Sequence, residues 1–176
     1  MLSQSKIKNN KSAQGEVVST ILLILLVIVT IGIITAFAIP FVRNQISKSD
    51  CLEVIGEDKL GISENMQYTC YESSNNKMIV QVHVGDIYDK IEGFGIVIGG
   101  ATTKTYEIKK SGASSTDVSS YDGSLIQVPE ANTERTYNIS SITPIPQTVQ
   151  VYPILTNGNK CDISDSLTSI PGCLIL

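Results

Sequence analysis

An uncharged run from residue 17 to residue 42, 26 residues long, limits what this chain can fold into more than any other feature. It begins Val-Val-Ser-Thr-Ile-Leu-Leu-Ile-Leu-Leu-Val-Ile-Val. About 20 apolar residues cross the hydrocarbon core of a bilayer as a helix, so the run can span one with some tilt. It is apolar on every face rather than along one stripe, so lipid or other helices must surround it. Lys6, Lys8 and Lys11 precede it, while Arg43 and Lys48 follow, offset by Asp50. That basic excess predicts an amino terminus inside and the bulk of the chain outside. No charge sits within the run, which leaves no proton relay, ion site or transport path to place there. Pro40 removes a backbone donor and is expected to kink or end the membrane portion. The hydroxyls of Ser19, Thr20, Thr30 and Thr35 are expected to return to the helix's own carbonyls, as hydrocarbon requires.

From about residue 50 roughly 125 residues remain, enough for one domain with its own core and too few for two. The chain carries a net charge of −4. Lys6, Lys8 and Lys11 lie before residue 14 with no acid among them, so the remainder is three units more negative. An acidic outer part without a Lys/Arg cluster argues against nucleic acid as a primary ligand, since phosphate binding needs a basic footprint. It argues equally against docking on anionic lipid. The charge suits solubility and mutual spacing at a cell surface.

All four cysteines, Cys51, Cys70, Cys161 and Cys173, fall after the apolar run. An even count confined to the exported part reads as two disulfides, for which three pairings exist. The local pairing, Cys51 with Cys70 and Cys161 with Cys173, closes the shortest loops and is the expected one. A zinc site needs two cysteines separated by two to four residues, and no pair here has that spacing.

After Cys51 the pattern changes to short strands and turns. Residues 77–84 alternate apolar and polar at their centre and read as a half-buried strand. Residues 91–98 read as another, with Phe94, Ile96 and Ile98 on one parity and Gly99-Gly100 ending it. Further strands are expected at 104–109, 124–128, 136–142 and 148–155. Pro153 suggests an edge position or a strand end in the last of these. Residues 111–120, rich in serine, read as a flexible surface loop, and no helix of useful length is expected after residue 50. Short strands about ten residues apart predict an antiparallel sandwich. The expected fold class is therefore α+β: a long N-terminal hydrophobic helix followed by an antiparallel β-sandwich-like domain.

The residues for a reaction centre are sparse, and the chain is not read as an enzyme. His83 is the one histidine, expected at the surface or boundary of its strand, which leaves no second imidazole for a catalytic arrangement. Gly93, Gly95, Gly99 and Gly100 sit within and after a strand with no Lys-Ser/Thr opening a helix, unlike a phosphate loop. Glu57-Asp58 and Asp86 with Asp89 lack the twelve-residue calcium pattern and read as solvated turns. No cofactor and no metal is expected. Asn138-Ile139-Ser140 forms an acceptor sequon, making Asn138 a candidate glycosylation site that would shield an exterior surface. Tyrosines such as Tyr68, Tyr71, Tyr121, Tyr137 and Tyr152 suit strand boundaries.

The stretch Lys11-Ser12-Ala13-Gln14-Gly15-Glu16 places a small-polar junction before the apolar run rather than after it. A secretory signal is cut after its apolar segment; a cut here would leave the helix on the mature chain. In this, residues 6–43 resemble the class III signal of archaeal type IV pilins and archaellin-like proteins, and the strand-rich remainder with its terminal cysteine pair resembles them more loosely. The resemblance implies cleavage by a prepilin peptidase between Ala13 and Gln14, with Lys11 as the upstream basic residue; a cut after Gly15 is the second possibility. With the cut after Ala13, Glu16 would be the third mature residue rather than the fifth, where bacterial pilins carry a glutamate that pairs with a neighbour's terminal amine; with the cut after Gly15 it would be the first. A carboxylate in the first helical turn is also favoured by the helix dipole alone. The implied organisation is a signal peptide over 1–13, a hydrophobic helix over 14–48 as membrane anchor and filament core, and an extracellular β domain over 49–176. The implied function is that of a structural subunit of a surface filament, with homopolymeric self-assembly, a prepilin peptidase and a pilus assembly platform in the membrane as partners. The chain would be membrane-inserted before assembly and lie at the cell surface afterwards. The alternative is an uncleaved single-pass anchor carrying a binding or adhesion domain, or a minor pilin.

Overall fold

The computed structural model describes residues 11–173, and the chain divides between residues 46 and 47 into two compact units. Residues 1–10, which hold most of the expected signal peptide, lie outside the described residues. One helix, α1, runs over Lys11–Leu52. It is longer at its carboxyl end than the expected 14–48, and its last residues, 47–52, belong to the second unit. Pro40 lies inside the helix and does not end it. A proline costs one intrahelical hydrogen bond, a loss that apolar surroundings and 42 helical residues absorb more readily than termination, which would leave further backbone groups unpaired.

The second unit holds β1 (Leu60–Ile62), β2 (Cys70–Glu72), β3 (Lys77–Val84), a 3-10 turn at Tyr88–Lys90, β4 (Ile91–Gly99), β5 (Lys104–Lys109), β6 (Gly112–Ala113), β7 (Val118–Ser120), β8 (Thr133–Ile139), β9 (Thr148–Leu155) and β10 (Asp165–Thr168). These strands form two five-stranded antiparallel sheets. The first has the order β1-β3-β8-β7 with β2 also on β3; the second has the order β10-β9-β4-β5-β6. The chain is thus α+β, an apolar helix followed by a sheet-rich domain. Phe94, Ile96 and Ile98 point inward from β4 as their parity predicts, meeting Met78, Val80 and Val82 of β3 in one core. The edge of the Phe94 ring meets Tyr137 of β8 at a centroid distance of 5.8 Å, joining the two sheets at their centre. A core of this kind, built from inward-facing residues of both layers, is what makes the sandwich cohere.

Three local expectations are corrected. Residues 124–128 form no strand, because their carbonyls are taken by side chains of β8 instead of a ladder. Arg135 Nη1 donates to Leu125 O at 2.8 Å, and the Tyr137 hydroxyl donates to Gln127 O at 2.6 Å. The serine-rich residues 111–120 are not a plain loop, since β6 and β7 both lie within them and extend one sheet each. Pro153 sits in an interior strand, since β9 lies between β4 and β10. β10 pairs only as far as Val151, so no ladder partner on that side needs the missing proline donor. The Pro153 carbonyl remains in use, accepting Cys161 N–H at 3.0 Å.

The disulfides also differ from the local pairing. Cys51 bonds Cys161, with Cα atoms 5.4 Å apart, and Cys70 bonds Cys173, with Cα atoms 4.9 Å apart. Sheet formation decides this. Cys51 ends α1 beside the chain that leaves β9, while the segment after β10 runs alongside β2, with Tyr71 N–H bonded to Pro171 O at 2.8 Å and Cys173 N–H to Tyr71 O at 3.0 Å. Short loop length counts for less than the non-local contacts that place partners within bridging distance. The two bridges interleave, spanning 110 and 103 residues, loop lengths at which chain-entropy stabilisation is large. Between them Ser164 Oγ accepts Gly56 N–H at 2.9 Å, and Asp165 Oδ2 accepts Ile62 N–H at 2.7 Å, fastening β10 of one sheet to the β1 edge of the other.

Peptide mapping without reductant should recover a 51–161 and a 70–173 linkage; recovery of 51–70 would contradict this topology. Replacing Cys161 with Ser should lower the domain's unfolding free energy by about 2–5 kcal/mol, read by chemical denaturation.

Candidate functional site

Between Val18 and Val42 the helix α1 presents 25 residues long and apolar enough to cross a membrane, none of them buried. At 1.5 Å per residue that stretch is about 37 Å long, against a hydrocarbon core of about 30 Å. Every large apolar side chain in it is exposed, from 44% at Val27 to 74% at Phe37. This separates it from the core helix of a water-soluble fold, whose apolar side would be covered. The hydroxyls behave as hydrocarbon demands. Thr30 Oγ1 donates to Val27 O at 2.8 Å, and Thr35 Oγ1 lies 3.0 Å from both Ile31 O and Gly32 O. Thr30 and Thr35 thus keep their polar atoms on the helix's own backbone.

Ala13, Gln14 and Glu16 lie in the first two turns of α1, and their side chains are outside the described set. Cys51, Cys70, Cys161 and Cys173 are all paired. Two bridges among the residues that follow the apolar stretch fit an oxidising, extracellular setting for the domain. Asn138 stands next to the carboxyl end of β8, paired with Ile79 of β3 on one side and Ser119 of β7 on the other. Its Oδ1 is buried without a hydrogen-bond partner. Ser140, the third residue of the sequon, donates Oγ–H to Asp117 O at 3.0 Å.

The polar groups of the β domain serve its own surface. His83 Nδ1 lies 3.9 Å from Glu134 Oε1, and Lys59–Asp86 (2.6 Å) and Lys90–Glu53 (2.7 Å) are exposed pairs of the sort that contribute little. The best-sheltered carboxylate among these ion pairs is Glu107 on β5, which contacts Lys160 and lies 3.4 Å from Lys109. It faces Gly95 of β4 across the ladder, and Gly95 faces Tyr152 of β9. A Cβ at Gly95 would collide with the Tyr152 ring, so the glycine is what lets that ring lie flat over the sheet. Among the described residues no three His, Cys, Asp or Glu side chains gather where a metal could bind. No family model, curated protein or solved structure matches this chain.

Met66 and Tyr68, in the link between β1 and β2, stand with Tyr121 around a groove of about 320 Å³ whose floor is Ile79 and the Cys70–Cys173 bridge. Ile79 faces away from the core, an apolar residue at a polar-parity position of β3, and that departure from alternation was the available signal.

The hydrogen bond from Lys160, with a smaller contribution from Lys109, holds the Glu107 carboxyl below its ordinary value. A depressed folded-state pKa stabilises above the unfolded value and loses that contribution as pH falls through the folded one. Melting curves should therefore show Glu107→Gln destabilised at pH 7, with the gap to the parent narrowing below about pH 4.5. A gap that stays constant to pH 3 would rule the pairing out.

Proposed function

We propose that this chain is a structural subunit of an archaeal type IV pilus-like surface filament. It is cut by a prepilin peptidase between Ala13 and Gln14 and assembles through its hydrophobic helix. The observation that carries the reading is the exposed helix between Val18 and Val42, joined in sequence to a disulfide-bonded sheet domain. An apolar surface of that extent needs a continuous apolar partner. Lipid serves before assembly, and the equivalent helices of other copies serve in a filament centre. The absence of any charge over residues 17–42 makes the two environments interchangeable, which a subunit drawn out of a membrane requires. The β domain, acidic and held by two bridges, makes a durable, soluble outer layer.

Leu25 sits near the middle of this surface, at 56% exposure. Leu25→Arg costs about 2.5–3.5 kcal/mol on insertion scales and should remove the chain from both the membrane fraction and sheared surface filaments. Filaments of normal abundance from that variant would sink the helix-core reading. Ala13→Glu should leave a precursor-size band in membranes that contain the peptidase and no chain in the filament fraction. A mature-size band would contradict the proposed cut. The reading as an uncut anchored binding domain predicts instead that Ala13→Glu changes neither size nor surface display.

A further inference from the structure

The groove over the outer face of the first sheet is uncharged in an otherwise acidic domain. Met66 is 57% exposed, Tyr121 54% and Tyr68 39% around it, with Ile79 and the Cys70–Cys173 bridge beneath. An exposed apolar patch of this kind marks an interaction site. The sheet register brings an acceptor to its floor. Cys70 pairs with Ile79 of β3, Ile79 with Asn138 of β8, and Asn138 with Ser119 of β7, one row across the sheet. The neighbours of this row along the strands, Met78, Val80, Tyr137, Ile139 and Val118, fill the core, so the row itself faces outward. Directly opposite residues hold their Cβ atoms about 4.5–5.5 Å apart, which sets Asn138 against the groove's Ile79. Asn138 is half-buried, with its Oδ1 enclosed and unpartnered, so the amide is turned oxygen-inward. The nitrogen is the other branch of that planar group, and it is the atom that takes a sugar in the sequon Asn138-Ile139-Ser140. A pyranose ring carries hydroxyls around its edge and C–H groups on its faces. Those faces stack on rings such as Tyr68 and Tyr121 while the hydroxyls stay in water.

We propose that Asn138 carries an N-linked glycan whose first sugars lie over this groove, between Tyr68 and Tyr121, and cover Ile79 and the Cys70–Cys173 bridge. Attachment joins Asn138 Nδ2 to the anomeric carbon of a saccharide carried on a polyprenyl phosphate or diphosphate. The carbon–oxygen bond to phosphate breaks, the lipid phosphate departs, and the amide nitrogen gives up one proton. Ser140 N–H and Oγ–H both bond Asp117 O, at 2.9 Å and 3.0 Å, which ties the sequon down once β7 pairs with β8. Transfer therefore precedes that pairing, and the glycan settles on the groove as the sheet closes. The site depends on export of the sheet domain and not on filament assembly.

The test uses the full chain exported by a cell that has an N-glycosylation pathway. It is compared with Ser140→Ala, which lacks the sequon, and Ser140→Thr, which keeps it. Glycopeptide mapping should find a saccharide on Asn138 in the parent and in Ser140→Thr, and none in Ser140→Ala. A bare Asn138 in the parent would overturn the proposal. Groove cover is then read by dilute peroxide on the thioether of Met66, with the fully buried Met78 reporting any loss of fold. Met66 should oxidise about fivefold more slowly in the parent and in Ser140→Thr than in Ser140→Ala, since exposure governs this reaction. An equal Met66 rate with and without the saccharide would place the glycan away from the groove and overturn the seating. A second measurement needs no variant. In the glycosylated parent in lipid nanodiscs, sugar C–H protons should show nuclear Overhauser contacts to the ring protons of Tyr68 or Tyr121, and their absence at both would overturn the seating.

Discussion

The structure depends on one solvation constraint. Seventeen large apolar side chains between Val18 and Val42 stand exposed on a single helix. Covering each is worth roughly 1.5–3 kcal/mol, so their sum runs to tens of kcal/mol, beyond the 5–15 kcal/mol that holds a typical domain folded. Water is therefore no resting place for this helix. The sheet domain has a core of its own, made where the inward faces of its two sheets fill the space between them. What remains is an apolar phase, whether lipid or neighbouring helices, and the choice between those two is the functional question the chain poses.

The sheet domain answers a different demand. A unit of this size, exported and acidic, gains little from surface ion pairs such as Lys59–Asp86 or Lys90–Glu53. Its order comes from the contact of Phe94 with Tyr137 across the sheets and from covalent closure. Cys161 and Cys173 pin both ends of the segment that contains β10, which limits how far the last strand can move from β9. Ser164 and Asp165 within that segment then hold the β1 edge of the opposite sheet.

Much of this was legible in the sequence because it rests on local periodicity. The uncharged run gave away the helix, and the parity of Phe94, Ile96 and Ile98 gave away the inward face of β4. The threonine back-bonds at Thr30 and Thr35 follow from what hydrocarbon forbids. What escaped was non-local. Cysteine spacing favours short loops, whereas the bridges follow from which strands lie side by side, a property of topology that spacing does not encode. Residues 124–128 carry strand-like side chains, but the Arg135 guanidinium and Tyr137 hydroxyl claim their carbonyls from another element. Pro153 reads as an edge residue until β10 is seen to stop at Val151. The groove at Met66 and Tyr68 was hidden for the same reason, its walls coming from four separate parts of the chain. The junction at Ala13 and Gln14 is a different case, since its meaning lies in recognition by another protein.

The central claim, that the apolar helix is kept on a processed chain rather than discarded or left uncut, is tested most directly by the mature amino terminus. Intact mass and terminal sequencing of the protein from membranes that contain a prepilin peptidase should give a chain beginning at Gln14. A chain beginning at Met1 would contradict the account and leave an anchored surface domain whose ligand is then the question.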